Sequence, residues 1–241
     1  MNKKPIGIFD SGVGGSSIWK EIHKLLPNEH TIYLADSKFA PYGPKGPDKI
    51  KELSVKNVEL LLSKECKLIV VACNTATTNA IDYLRSHYDI PFVGIEPAIK
   101  PAALKTKTKI VGILATKGTL SSTLFHKTAN LYGHNILKIE QEGEGIVQLI
   151  ESGNLYSVEM TYLLKNYLEP MIKANIDYLV LGCTHYSYLI PILKELLPKH
   201  IRIVDSGQSV ARQVKSVLQT NQLLNVKPTF GRNEFFTNDN P

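Results

Sequence analysis

The chain has 241 residues, 43% hydrophobic and 21% charged, with 28 Lys and Arg against 22 Asp and Glu. That length supports one large domain or two of moderate size. The net charge of +6 is scattered with no basic run longer than a pair, which argues against a nucleic-acid arm and leaves room for a small anionic substrate.

The three cysteines, Cys66, Cys73 and Cys183, are far apart and form no C-x-x-C pair, so neither a disulfide framework nor a zinc knuckle is expected. "MNKKPIGIFDSG" has a four-residue apolar run before an aspartate and is not read as a signal peptide. Nothing elsewhere approaches the ~18 apolar residues of a membrane span. The expectation is a reduced, cytoplasmic protein of enzyme size.

In chain order, "IGIF" (6–9) reads as a strand leading through "DSGVGG" into a helix with Ile18, Ile22, Leu25 and Leu26 on one face. "TIYLA" (31–35) follows, then the Pro/Gly-rich "PYGPKGP" (41–47), a helix over 48–64, "LIVVA" (68–72), a helix from 76 and "PFVGI" (91–95). The rhythm then repeats: "KIVGIL" (109–114), a helix from 119, "NILKIE" (135–140), and helices near 143–151 and 158–174. "YLVLG" (178–182), a helix from 189, "IRIVD" (201–205) and a helix over 209–219 close the regular part. Alternating apolar strands and helices predict α/β architecture with mainly parallel sheets covered on both faces.

"KLIVVACNTATT" (67–78) and "DYLVLGCTHYSY" (177–188) superimpose without gaps, cysteine on cysteine. "IGIFDSGVGGSS" (6–17) echoes "VGILATKGTLSS" (111–122) more loosely. Two pseudo-symmetric, doubly wound halves with an active site in the cleft between them are the economical reading. Residues 1–97 plus 207–241 would form the first and 98–206 the second, the final helix returning to the first half.

Ligands of parallel sheets bind beyond the carboxyl ends of the strands. Cys73 and Cys183 both stand there, so two facing halves would bring two sulfurs to opposite sides of one carbon. That arrangement suits removing a proton from one face and returning one to the other. The chemistry needs one thiolate and one thiol, and helix-start amides after each cysteine are expected to favour the anion. Asp10, at the end of the first strand, is placed to assist Cys73, and His185 follows Cys183 by two residues. A lone cysteine after a strand is usually a small core hydrophobe, and Cys66 is read that way.

"DSGVGGSS" lacks the lysine of a phosphate loop and does not match G-x-G-x-x-G. Its glycines still admit a ligand close to the backbone, with Ser11 offering a hydroxyl. "PYGPKGP" reads either as an exposed turn or as a lid edge carrying Tyr42 and the Gly43 amide, and Asn74, Thr75 and Thr184 suit the charged groups of an amino acid. A zinc site on Cys183 and His185 lacks partners, and no local signature supports a pyridoxal Schiff base. Neither metal nor cofactor is expected.

"FDSGVGG", "ADSKFAPYG", "ACNTATTNA", "GIEPAIKPA" and "LGCTHY", in this order, resemble the bacterial glutamate racemase family over nearly the whole chain. The resemblance implies a cofactor-independent isomerase of two α/β domains that interconverts L- and D-glutamate for peptidoglycan. It assigns Cys73 and Cys183 as acid/base thiols, with Asp10 assisting the first and His185 and Glu151 the second. Ser11, Tyr42, Gly43, Asn74, Thr75, Thr184 and His185 would hold substrate, and Thr116 and Thr119 would line the same cleft. A homodimer is expected. The weighed alternatives are a racemase of aspartate or another acidic amino acid, and a protein that acts chiefly by contacting DNA gyrase; a nucleic-acid partner is not expected.

The chain departs from the family pattern at Ser187, where a proline is usual, and at Gly46, often serine. "EFFTNDNP" resembles the family's late strand, and the resemblance implies a further helix that this sequence does not reach.

Overall fold

The computed structural model describes residues 4–133, 135–226 and 230–239. The first sheet is built from β1 (Ile6–Asp10), β2 (Thr31–Ala35), β3 (Leu68–Val71), β4 (Phe92–Gly94) and β9 (Asn233–Thr237). The second contains β5 (Ile110–Ala115), β6 (Leu137–Glu142), β7 (Tyr178–Gly182) and β8 (Arg202–Val204). Every pairing in both is parallel.

The strand orders are β4-β3-β1-β2-β9 and, taken from the same end, β8-β7-β5-β6. Replacing each number in the first sheet by that number plus four generates the second, with β9 added at the edge. The internal echo in the sequence is thus an echo of topology, with β1 matched to β5 and β3 to β7.

Successive residues of β1 and β3 point to opposite faces and are buried on both. Phe9, Ile69 and Val71 join the core under α2 (Pro47–Ser63) and α3 (Asn74–His87). Ile6, Ile8, Leu68 and Val70 face α1 (Ser16–Leu25) and α10 (Gly207–Thr220). This two-sided burial is why the strands read as continuous apolar runs.

The chain leaves the first sheet after β4, and α4 (Ile99–Lys105) already packs on the core of the second. It returns after β8, when Val210, Val214 and Leu218 of α10 join Ile18 and Ile22. The two crossings run side by side, tied by the Ser206 hydroxyl donating to the Glu96 carbonyl.

Several expected boundaries shift for local reasons. Leu25 is 38% exposed, and Leu26, past the helix end, is buried in its place. The predicted helix from 119 is two pieces, α5 (Lys117–Leu120) and α6 (Thr123–Gly133). Helix α3 begins at Asn74 rather than 76. Helix α7 (Ile146–Glu151) starts later than 143 because Gly145 takes φ +80°, a left-handed conformation that precedes the helix rather than belonging to it. Strand β6 runs two residues later than predicted; as an edge strand it is half exposed and lacks a clean apolar run. The late strand suggested by "EFFTNDNP" is β9, parallel to β2.

Helix α8 (Val158–Lys173) is capped by Ser157, whose hydroxyl accepts from the Met160 amide at 3.0 Å. Helix α9 (Ile190–Leu196) follows a 3₁₀ turn, Thr184–Leu189. Among the described residues no helix is long and apolar enough to cross a membrane.

Candidate active site

Cys73 leaves β3 and caps α3, its sulfur accepting from the Ala76 amide at 3.4 Å, with the Ser11 hydroxyl at 3.7 Å. Cys183 leaves β7 at the start of the 3₁₀ turn, its sulfur 3.8 Å from Nδ1 of His185. The equivalent strand ends of the two halves face each other, and both cysteines line one cavity.

Ser11, Tyr42, Gly43, Asn74, Thr75, Thr116, Thr184 and His185 complete the lining, together with Pro41 and Val147, which sequence reasoning missed. Asp10, Glu151 and Thr119 stand behind it. Asp10 accepts from the Gly15 amide at 2.7 Å and from the Thr184 hydroxyl of the other half at 3.4 Å. Glu151 accepts from His185 Nε2 and from the Val13 amide at 2.9 Å. Thr119 is buried against Thr75 and Thr116.

The glycines of "DSGVGG" admit protein rather than a phosphate. A Cβ on Gly12 would lie 2.0 Å from Glu151 Oε1, and one on Gly14 2.3 Å from His185 Nδ1. The loop of the first half is therefore the surface on which the acid–imidazole pair of the second half rests. Tyr42 lines the same cavity. Its hydroxyl turns inward to Asp36 and Asn57, so the ring and backbone, not the phenol, are what it offers the cavity. Asp36 directly follows β2 much as Asp10 ends β1, a positional signal that sequence reasoning passed over.

The electrostatics of the two thiols differ. Burial pushes Cys73 well above the ordinary cysteine range, and the carboxylate of Asp10 pushes it further. The Ala76 amide at the helix start acts in the expected direction and Ser11 with it, but both are outweighed: in the closed cleft Cys73 is a thiol. Burial also raises Asp10, opposed by His185 and the Gly15 amide. For His185 burial works downward, but hydrogen bonds to Cys183 and Glu151 and the charges of Cys183 and Asp10 outweigh it and hold the imidazole at about 10. Glu151 is lowered: burial alone would raise it, and His185 and the Val13 amide reverse the sign. At neutral pH Cys183 thus has a protonated imidazole beside it, with the Glu151 carboxylate behind.

Asn74 is buried with neither Nδ2 nor Oδ1 paired within the protein, and Asp10 Oδ1 is in the same condition. Unpaired buried amide groups are costly, and those of Asn74 border the cavity, where a ligand with both donors and acceptors would pair them. Among the described residues no three His, Cys, Asp or Glu side chains are grouped to hold a metal ion.

Two facing parallel sheets thus bring a cysteine from each matched strand end to one cavity, with an imidazole–carboxylate pair beside one and a carboxylate beside the other. The model of the Asp/Glu/hydantoin racemase family matches residues 6–214, and the chain belongs to that family of amino-acid racemases. It is 42% identical to a glutamate racemase of Herpetosiphon aurantiacus, over all of this chain and 95% of that one. Glutamate racemase RacE1 of Bacillus anthracis superposes with a TM-score of 0.91 at 30% identity, covering 100% of this chain and 90% of the other. The Francisella tularensis glutamate racemase, solved with D-glutamate, gives 0.86 at 30% identity, with the same coverage of each chain. An aspartate racemase homologue from Pyrococcus horikoshii, 19% identical with a TM-score of 0.55, shares the fold alone.

Proposed function

We propose that this protein is a cofactor-independent glutamate racemase in which Cys73 and Cys183 exchange protons with opposite faces of Cα. The observation that carries the reading is that two cysteines from topologically equivalent strand ends line a single cavity.

In one direction a sulfur anion at one cysteine takes the Cα proton, and the thiol at the other delivers its own proton to the opposite face. The next turnover runs the other way or resets through solvent. Asp10 serves as proton partner of Cys73, and His185, held by Glu151, as that of Cys183. Asn74, Thr75 and Thr184, with the Ser11 hydroxyl and the Gly43 amide, bind the carboxylate and ammonium groups; Thr116 and Thr119 support Thr75.

The reading divides the chain at 97/98 and 206/207 and places the enzyme in the cytoplasm as a homodimer supplying D-glutamate for peptidoglycan. Incubated with L-glutamate in deuterated water, the protein should yield D-glutamate labelled at Cα. Cys73→Ser and Cys183→Ser should each slow conversion by roughly 10²–10⁴-fold, the range of positioned acid–base catalysis. Conversion at an unchanged rate in the double variant would overturn the assignment. Aspartate in the same assay tests side-chain length.

A further inference from the structure

Asn79 lies in the second turn of α3, outside the cavity, and the chemistry above makes no use of it. Its Nδ2 donates to the Thr75 carbonyl at 2.8 Å and, across the cleft, to the Gly118 carbonyl at 3.1 Å; Thr78 Oγ1 is at 3.3 Å. The Gly118 carbonyl requires such a donor. In a longer helix the Ser122 amide would serve it, but that amide turns to Thr119, and carbonyls at a helix end go unserved unless a side chain supplies the bond.

The contact is close as well as polar. A Cβ on Gly118 would stand 2.7 Å from Thr75 Cγ2 and 2.9 Å from the Gly43 carbonyl oxygen. Next to it the hydroxyls of Thr75 and Thr116 meet at 2.8 Å. One flank of the cleft is therefore closed by Asn79 and Thr75 against Thr116 and Gly118. The far flank is closed separately, by Ser16 on Tyr188 and Ser17 on the Thr184 carbonyl.

Between the flanks the cavity measures about 10 Å³, room for roughly one water and far too little for an amino acid. An outer hollow of about 200 Å³ shares Pro41, Gly43, Thr116 and Val147 with it and extends to Lys117, the neighbour of Gly118. Of the walls the two share, Gly43 packs against Gly118 and Thr116 bonds to Thr75, so the Asn79 flank borders the passage between them.

We propose that Asn79 is a positioning residue that clasps this flank, and that breaking its bond to Gly118 is the step that joins the hollow to the thiol cavity and admits an amino acid. The functional consequence rests on the cleft being the racemase site. The clasp itself does not.

The test is alkylation of the full-length protein by iodoacetamide without substrate, each cysteine followed by peptide mass spectrometry. Cys73 and Cys183 react only when the cleft opens, whereas Cys66 is buried in the core against Gly7 and reacts only when the half itself loosens. Asn79→Ala removes the bridging donor and should accelerate labelling of Cys73 and Cys183 roughly five- to tenfold, as loss of one hydrogen bond shifts a two-state equilibrium. Asn79→Asp, which sets a carboxylate against two carbonyls, should accelerate it more. Cys66 should be labelled at the unaltered rate in both, and either variant alone suffices to read the result.

Unchanged labelling of the cleft thiols overturns the clasp. So does a rise at Cys66 in step with them. Because alkylation needs no turnover, a chain without racemase activity can still show the clasp, and an active one can lack it.

Discussion

The imidazole of His185 donates through Nε2 to Glu151, and the same carboxylate accepts the Val13 amide from the other half of the molecule. One acid therefore charges the imidazole beside Cys183 and braces the glycine loop that carries Asp10 and Ser11.

Replacing Glu151 by Gln removes the charge while keeping the shape. The expected loss is roughly 10- to 100-fold in kcat/KM, part of what a positioned acid–base pair supplies. Mirror-image substrates have equal free energy, so the loss must be the same in both directions. An unchanged kcat/KM in Glu151→Gln would contradict the role given to Glu151.

The pH dependence of stability follows from the same pair. His185 is raised from 6.5 to about 10, so its contribution is complete below about 6.5 and disappears as pH climbs through about 10. Glu151 is lowered from 4.5; its contribution is present above 4.5 and fades as pH falls through its folded value. Asp10, raised from 3.8, works in the opposite sense and softens the acid limb. Melting temperature should therefore peak between about pH 4.5 and 6.5 and decline toward pH 10. In Glu151→Gln the alkaline decline should be shallower, and melting curves across that range provide the check.

Gly12→Ala and Gly14→Ala would each drive a methyl into the Glu151–His185 pair. Displacing a catalytic group by about 1 Å costs on the order of 10²-fold, so activity should drop by that order while circular dichroism is retained. Gly46 is the internal control: nothing lies within 4 Å of its added Cβ, and it caps α2 in extended conformation. Gly46→Ser should leave the rate alone and raise stability by a few tenths of a kcal/mol through a better cap.

Lys67 and Glu29 form a buried ion pair at 2.6 Å, and Glu29 also accepts the Asn225 amide at 2.7 Å. Lys67→Met leaves a buried carboxylate without its cation, which costs about 3–5 kcal/mol. Urea titration should show that loss, with activity per folded molecule unchanged because the pair is remote from the cavity.

The strands and both thiols were legible because each cysteine follows an apolar run that β-sheet burial on two faces demands. Asp10 and His185 were legible from their nearness in sequence to those runs. Glu151 was readable only through the family resemblance; its partners are 34 and 138 residues away, and no local pattern announces such a contact. Asn79 sat inside "ACNTATTNA", yet its reach to Gly118 depends on how the two halves dock. The balance at Cys73 was not legible for a related reason: the helix start is visible in sequence, whereas burial beside Asp10, which outweighs it, is a property of the closed cleft.

Every strand of the second sheet lies in one uninterrupted stretch from Ile110 to Val204, whereas the core around Ile6 and Ile8 is finished only by Val214 and Leu218. During synthesis, at roughly 5–20 residues per second, the later-made half can fold while the earlier-made one still waits for its last helix. The nascent first sheet exposes apolar surface throughout that interval, so conditions that slow translation of the middle of the message should favour aggregation over yield.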